Sequence, residues 1–354
     1  MHFHRLKYFL VYLSPLVVAT SLSLNGIWTF SAIFVFFILI PLIELFLSGS
    51  SKNLNAIEEE LAKKDVFYDV LLYGLVPTQY ALLYFFLNQV SNESLPWYEK
   101  AGMTTAFGMS CGIIGINAAH ELGHRSTWYE QAMSKMLLLT SLYMHFFIEH
   151  NRGHHKYVST NEDPASGRPG ETLYAFYIRS ISGSWRSAWR LESVKLKKNN
   201  KSFWSIYNEM LRFQFLQLGL ILTIAYLYNW QTMLFFIASA AIGFHLLETV
   251  NYIEHYGLRR KKNGDHYERT MPIHSWNSNH PLGRLMLLEL SRHSDHHYVA
   301  SRKYQLLRYF DESPLMPTGY PGMLLLALVP PLWFRVMDKQ IEKYKLTSEG
   351  YALA

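Results

Sequence analysis

The sequence predicts an all-α integral membrane protein: six transmembrane helices with a cytoplasmic helical cap that carries a histidine-rich metal site. Three observations lead there. Six apolar stretches approach the ~20 residues a helix needs to cross a bilayer core, and none contains Lys or Arg. The 33 Lys and Arg fall almost wholly to one side of those stretches. Most of the 16 histidines gather in four clusters on that same side.

The stretches are residues 8–24, 27–47, 67–90, 101–119, 213–228 and 231–250. Asn25-Gly26 joins the first two and Asn229-Trp230 the last two, so both pairs read as tight helical hairpins. No short apolar core followed by a small-residue cleavage site precedes them, so the first span is expected to be retained. With the N-terminus in the cytoplasm, Lys100 is the single basic residue among the 33 that faces outward. That topology accounts for the net charge of +6 without nucleic acid as a partner. The run 195–201 is the best place for an acidic protein to dock.

Residues 136–148 are apolar but short for a crossing, and a crossing there would separate the histidine clusters across the membrane. An interfacial or partly inserted helix is expected instead. Residues 1–250 then form the transmembrane region, interrupted by a cytoplasmic segment at 120–211, and 251–354 form the cap that completes the metal site. Residues 323–334, broken by Pro330-Pro331, should lie against the cap or the membrane surface. The lone Cys111 excludes a disulfide framework, a four-cysteine zinc site and a rubredoxin-type iron site, so electrons for any redox step must come from elsewhere.

The first cluster is His120-Glu121-Leu122-Gly123-His124, where spacing of four puts both imidazoles on one helix face. The second, Glu149-His150-Asn151-Arg152-Gly153-His154-His155, repeats that spacing with a third histidine beside it. The third is Asn251-Tyr252-Ile253-Glu254-His255-Tyr256-Gly257, and the fourth is Arg292-His293-Ser294-Asp295-His296-His297. Imidazole suits iron, zinc, copper and nickel, and one ion takes about four to six ligands. His120, His124, His150, His154, His155, His255, His293, His296 and His297 are too many for one ion. They suit two, with positions left for oxygen.

Glu121, Glu149, Glu254 and Asp295 sit beside these histidines and are expected to accept their outer ring N–H, with a bridging carboxylate as the alternative. Glu248 lies about two turns before His255 on a similar face, and an ionisable group at that depth is a functional candidate. His2 and His4 read as surface residues, and His145 and His245 as packed side chains satisfied by neighbours. His274 and His280 are weaker candidates for supporting the metal ligands, and His266 belongs to the cap.

At this point the sequence resembles the membrane-bound alkane monooxygenases, the AlkB-type alkane hydroxylases within the histidine-box desaturase and hydroxylase class. HELGH at 120–124, EHNRGHH at 149–155 and RHSDHH at 292–297 look like the three boxes of that class, and NYIEHYG at 251–257 is the feature that separates alkane hydroxylases from desaturases. The resemblance runs from about Leu6 to Asp311. Arg125 and Ser291 stand where Lys and Gln are frequent.

The resemblance implies O2-dependent hydroxylation of n-alkanes to 1-alkanols at a non-haem centre of two iron ions. Electrons would come from rubredoxin, reduced by an NADH-dependent rubredoxin reductase. It also implies a multi-pass protein of the bacterial inner membrane, bathed in lipid, with the active site on the cytoplasmic side. An alkane has no polar handle, so a narrow apolar channel must position it, with Phe34 and Phe37 among the candidate walls.

Other readings compete. HELGH also fits the HExxH pattern of zinc proteases with Glu121 as base, but that leaves most of the histidines unused. A metal transporter would string its histidines along a path through the bilayer rather than at one boundary. A fatty-acid desaturase, or a hydroxylase of another hydrocarbon, shares every cluster except the one at 251–257.

Overall fold

The computed structural model describes residues 5–351, with side chains through Tyr344. The chain is mostly helical, as expected, apart from a two-stranded hairpin pairing Lys262–Asn263 with His266–Tyr267 around Gly264, whose φ of 62° suits glycine.

Helix α1 (Lys7–Ser23) and α2 (Gly26–Phe46) form the first hairpin. Gly26 turns at φ 62° and donates its N–H to Glu99 Oε1 at 2.9 Å. Helix α3 (Ala56–Lys64) opens on a capping box in which the Asn55 side chain accepts from Glu58 N–H while Glu58 accepts from Asn55 N–H. Helix α4 (Phe67–Val90) follows. Helix α5 runs without a break over 97–123 and contains a π turn at Cys111–Ile116. Helices α9 (Glu209–Leu227) and α10 (Trp230–His255) form the last hairpin, with the Asn229 side chain accepting from Thr232 N–H at the start of α10.

Four of these helices are long and apolar enough to cross a membrane: α2, α4, α9 and α10. Helix α1 is apolar but shorter, and α5 carries Glu99 and Lys100 near its start. Helices α5 and α10 approach closely because their contact is made of small residues. A Cβ on Gly108 would meet Ile242 Cβ at 2.6 Å, and one on Gly243 would meet Cys111 Cβ at 2.5 Å.

The expected single helix over 136–148 is two pieces. Helix α6 (Trp128–Thr140) is pinned to α5 by Ser134 Oγ donating to Ala119 O at 2.6 Å. It stops where Leu142 turns to φ 50° and Tyr143 N–H closes back on Leu138 O at 3.2 Å, a helix-ending geometry that apolar composition does not reveal. Helix α7 then covers 146–157.

Helix α8 (Leu173–Lys198), capped by Thr172, lies across α7 and α10. Short helices α11 (Pro281–Met286) and α12 (His293–Tyr298) follow the β-hairpin, and α13 (Tyr320–Ala327) and α14 (Pro330–Tyr351) end the chain. The apolar stretch 323–334 breaks at Pro330-Pro331, where α14 begins. Its Trp333 is fully buried, 5.0 Å ring to ring from Tyr252, and Trp276 Nε1 donates to Tyr256 O at 2.9 Å. This second core locks the end of α10, where His255 sits.

Candidate metal centre

Three π turns, at Val35–Leu39, Cys111–Ile116 and His150–His154, all border one site. A π turn adds a residue to the helical repeat and re-aims whatever follows it, which is why such turns recur at functional sites. In α5 the turn precedes His120 and His124. In α7 it contains histidines itself, with a consequence described below.

All nine predicted histidines converge. His120, His124, His150, His155 and His296 form one group, and His154, His255, His293 and His297 a second, with the ligand atoms within each group inside 4.8 Å of one another. The contacts are between Nε2 atoms: His120 to His296 at 2.9 Å, His124 to His150 at 3.1 Å, His155 to His150 at 3.0 Å. In the second group His154 meets His297 at 3.2 Å, His293 meets His255 at 3.1 Å, and His297 meets His293 at 2.9 Å. Two imidazole nitrogens bound to one ion at roughly 2.1 Å and at right angles lie about 3.0 Å apart. The donor set and its spacing therefore fit two metal ions.

The partition differs from the spacing argument at one place. His150 and His154, which spacing of four would put on one face of a regular helix, lie in different groups. The π turn brings His150 together with His155, five residues on, and sends His154 to the other side. In α12 the rule holds for His293 and His297, with His296 turned to the first group.

Seven rings are buried, and His124 and His155 are partly so. Burial, and then the neighbouring imidazoles, holds His150, His155, His293, His296 and His297 well below the ordinary histidine range, with His124 down to about 3. These rings are neutral, as metal ligands must be. His154 is the exception: burial disfavours its cation, but the Asp163 carboxylate at 2.9 Å from Nδ1 outweighs that and raises its pKa.

Asp163 is the residue that sequence reasoning missed. It fixes the outer nitrogen of His154 and is itself held by Ser166 Oγ at 2.5 Å and Ala165 N–H at 3.0 Å. The only signal was a carboxylate before a proline, in Asn161-Glu162-Asp163-Pro164, nine residues after His154.

The predicted carboxylates do not act as one class. Glu254 touches a ligand: Oε2 lies 3.1 Å from His293 Nε2, the nitrogen that faces the other ligands rather than the outer one, while Oε1 accepts from Tyr320 Oη at 2.6 Å. Glu121 instead accepts from Arg125 at 2.6 Å and Tyr304 N–H at 3.2 Å. Asp295 is held by Arg308 and Arg302. Glu248 accepts from Tyr143 Oη at 2.7 Å and Ser180 Oγ at 2.5 Å. Glu149 is buried with Oε1 unpartnered among the described residues.

His245 Nδ1 meets Ala241 O at 2.8 Å, as a packed histidine should, but buried His145 leaves Nε2 without a partner among the described residues. His274 pairs with Glu268 at 3.2 Å, and His280 Nδ1 meets Ser278 Oγ at 3.0 Å, so the imidazoles of both are engaged elsewhere. His2 and His4 lie outside the described residues.

A cavity lined mostly by apolar side chains reaches His120, His150 and His293. Its walls include Phe36, Phe37, Ile113, Leu246, Val250 and Leu287, and its polar groups are Asn117, Asn251, Glu254, Tyr320 and those three histidines. Phe37 lines it. Phe34, expected beside Phe37, is instead 53% exposed, because the π turn at Val35–Leu39 presents Phe36 and Phe37 inward and leaves Phe34 on the outer face of α2.

Comparison with known proteins agrees with this site. Residues 96–326 match the fatty acid desaturase family. Alkane 1-monooxygenase of Acinetobacter baylyi is 40% identical over 88% of this chain and 76% of its own length. Alkane 1-monooxygenase 1 of Pseudomonas aeruginosa is 38% identical over 91% of this chain and 87% of its own. The xylene/toluene monooxygenase hydroxylase component XylM of Pseudomonas putida is more distant, 28% identical over 93% of this chain and 87% of its own.

Proposed function

We propose a function on one premise: the chain belongs to the alkane 1-monooxygenase family and to the wider fatty acid desaturase family. It hydroxylates the terminal methyl group of n-alkanes to 1-alkanols with O2, using two iron ions held by the nine histidines and electrons from rubredoxin. The observation that carries this is the joining of an apolar cavity to both histidine groups at one end.

When bound, the iron pair supplies the activation of O2 for insertion into a C–H bond. The protein does the rest. Phe36, Phe37, Leu246 and Val250 exclude water and leave an alkane nothing to hold except its shape, so the chain enters end-on and presents a methyl group to His120, His150 and His293. Among the described residues no Lys or Arg lines the cavity, so nothing there pairs with a fatty-acid carboxylate, which favours a hydrocarbon over a desaturase substrate.

The one cysteine, Cys111, is buried in the bundle, so the electrons come from outside the chain. Lys195 is engaged with Glu192 at 3.1 Å and Glu209 at 3.6 Å, while Lys197, Lys198 and Lys201 of the same run are exposed, and the hairpin offers a second basic surface to an acidic electron donor. There Lys261 and Lys262 are exposed, and Arg260 is tied to Lys156 O and Ser159 O, next to the turn that bears His154 and His155.

The chain crosses a bacterial inner membrane six times, α1 and α5 completing the set, with the N-terminus and the histidines on the cytoplasmic side. The segment 120–211 and the residues from 251 onward form the cap. The Lys and Arg distribution and the outward apolar faces of α2 and α9 support this topology.

The test is to supply membranes with rubredoxin, its reductase, NADH and alkanes from octane to hexadecane, and to measure alcohols by gas chromatography. Primary alcohol from the wild type and none from His293→Ala is expected. No alcohol from any alkane, with two irons bound per chain, would reject the alkane assignment in favour of a desaturase or another lipid hydroxylase.

A further inference from the structure

Alkane hydroxylation has requirements that the apolar cavity cannot meet. One oxygen atom enters the C–H bond and the other leaves as water, with two electrons and two protons taken up. Protons must reach a buried centre and water must leave it. The apolar cavity, filled by alkane, carries neither.

A second opening does. At the junction of α8, α9 and α10 lies an open groove lined by apolar side chains such as Ile178, Ile181, Trp185 and Phe244, among which stand the polar groups of Ser182, Arg186, Gln214, Gln217 and His245. Next to it is a small cavity with room for about one water molecule, bounded by Glu149, His150, His154, Ser184, Glu248 and Asn251. Tyr143 and His145 line both spaces and form the wall between them. The inner cavity thus lies against one ligand from each histidine group.

Its walls carry polar atoms that the protein does not satisfy. His145 Nε2 and Glu149 Oε1 are buried without a hydrogen-bond partner among the described residues. Buried polar atoms are nearly always paired, and an unpaired acceptor beside a polar cavity is what an ordered water satisfies. Glu248 is held in place by Tyr143 Oη and Ser180 Oγ, which keeps the Tyr143 hydroxyl on the inner wall.

We propose that the groove and the inner cavity form a passage with polar groups along its walls, gated by Tyr143 and His145, through which water and its protons move between the cap boundary and the histidine centre. The need for such traffic rests on the hydroxylase reading above; the passage itself rests on the cavities. Alkane and water then use separate doors.

Hydroxyl-radical footprinting of the iron-loaded protein reads water contact independently of activity. Tyr143 and His145 are 3% and 5% exposed, yet should be oxidised at least ten-fold faster than the buried Phe107 and Phe176. Ser184→Leu, which fills the inner cavity from α8, should cut His145 labelling several-fold. It should also lower the alcohol-forming turnover about ten-fold at unchanged alkane KM and iron content. Labelling of Tyr143 and His145 no faster than Phe107 overturns the passage, as does a Ser184→Leu protein with wild-type labelling and turnover. If Ser184→Leu fails to hold iron, the wild-type labelling alone decides. Absent alcohol from a wild-type protein that still labels at Tyr143 and His145 rejects the hydroxylase reading and leaves the passage standing.

Discussion

The two histidine groups are built from one residue type but differ in what stands around them. The five-member group (His120, His124, His150, His155, His296) has no carboxylate at ion-pair distance among the described residues, and two of its rings are partly exposed. The four-member group is fully buried, and two of its rings meet carboxylates: His154 through Asp163 and His293 through Glu254. An ion held by the first group would meet imidazole alone. One held by the second would meet fewer imidazoles, two of them with a carboxylate beside the ring. The second group should be the less redundant and the more easily broken.

The largest effect expected follows directly. His255→Ala, from the four-member group, should abolish alcohol formation and release one of the two irons, while His124→Ala should retain both irons and measurable product. Iron quantification per chain alongside gas chromatography checks the pair, and equal losses from both variants would erase the distinction.

Next is the carboxylate. Asp163→Asn should weaken iron binding at the four-member group by about 10–100-fold, measured by competition with a chelator, because the His154 ring loses the acceptor that fixes its outer N–H. The five-member group should release its iron at the wild-type rate in the same experiment.

Glu121 sharpens the contrast from the other side. It neighbours His120 in sequence but supports Arg125, which also meets Asp69 at 3.3 Å. Glu121→Gln should lower unfolding stability by about 1–3 kcal/mol while leaving two irons bound, as seen in thermal melts with iron analysis. Loss of iron would return Glu121 to the metal site.

The smallest effect lies at the cavity both groups share. Phe37→Ala should move the product range toward longer alkanes, whereas Phe34→Ala should leave it unchanged. A single competition assay with mixed alkanes reads both.

Much of this site is legible in the sequence for a local reason. His120 and His124, or His293 and His297, are brought together by helix periodicity alone, and nothing distant is needed to see it. The membrane spans are equally local, since they follow from composition over a window. Where the reading failed, it assumed a regular helix. The π turn at His150–His154 separated a pair that spacing of four had joined, and the one at Val35–Leu39 moved Phe34 out of the cavity. The carboxylates failed differently: adjacency in sequence placed Glu121 and Asp295 near the histidines, but arginines from elsewhere in the fold hold both.

By itself, then, the sequence determined that nine histidines gather at one edge of a helical membrane bundle, because that information is carried by residue type and short-range repeat. Only the tertiary structure decided which histidine belongs to which group, that Asp163 rather than Glu121 meets one of these rings, and that two cavities approach the histidines separately. Those outcomes depend on helix register and on contacts between segments far apart in the chain. A change of one residue in a helical turn, about 100° of rotation, is enough to reverse them.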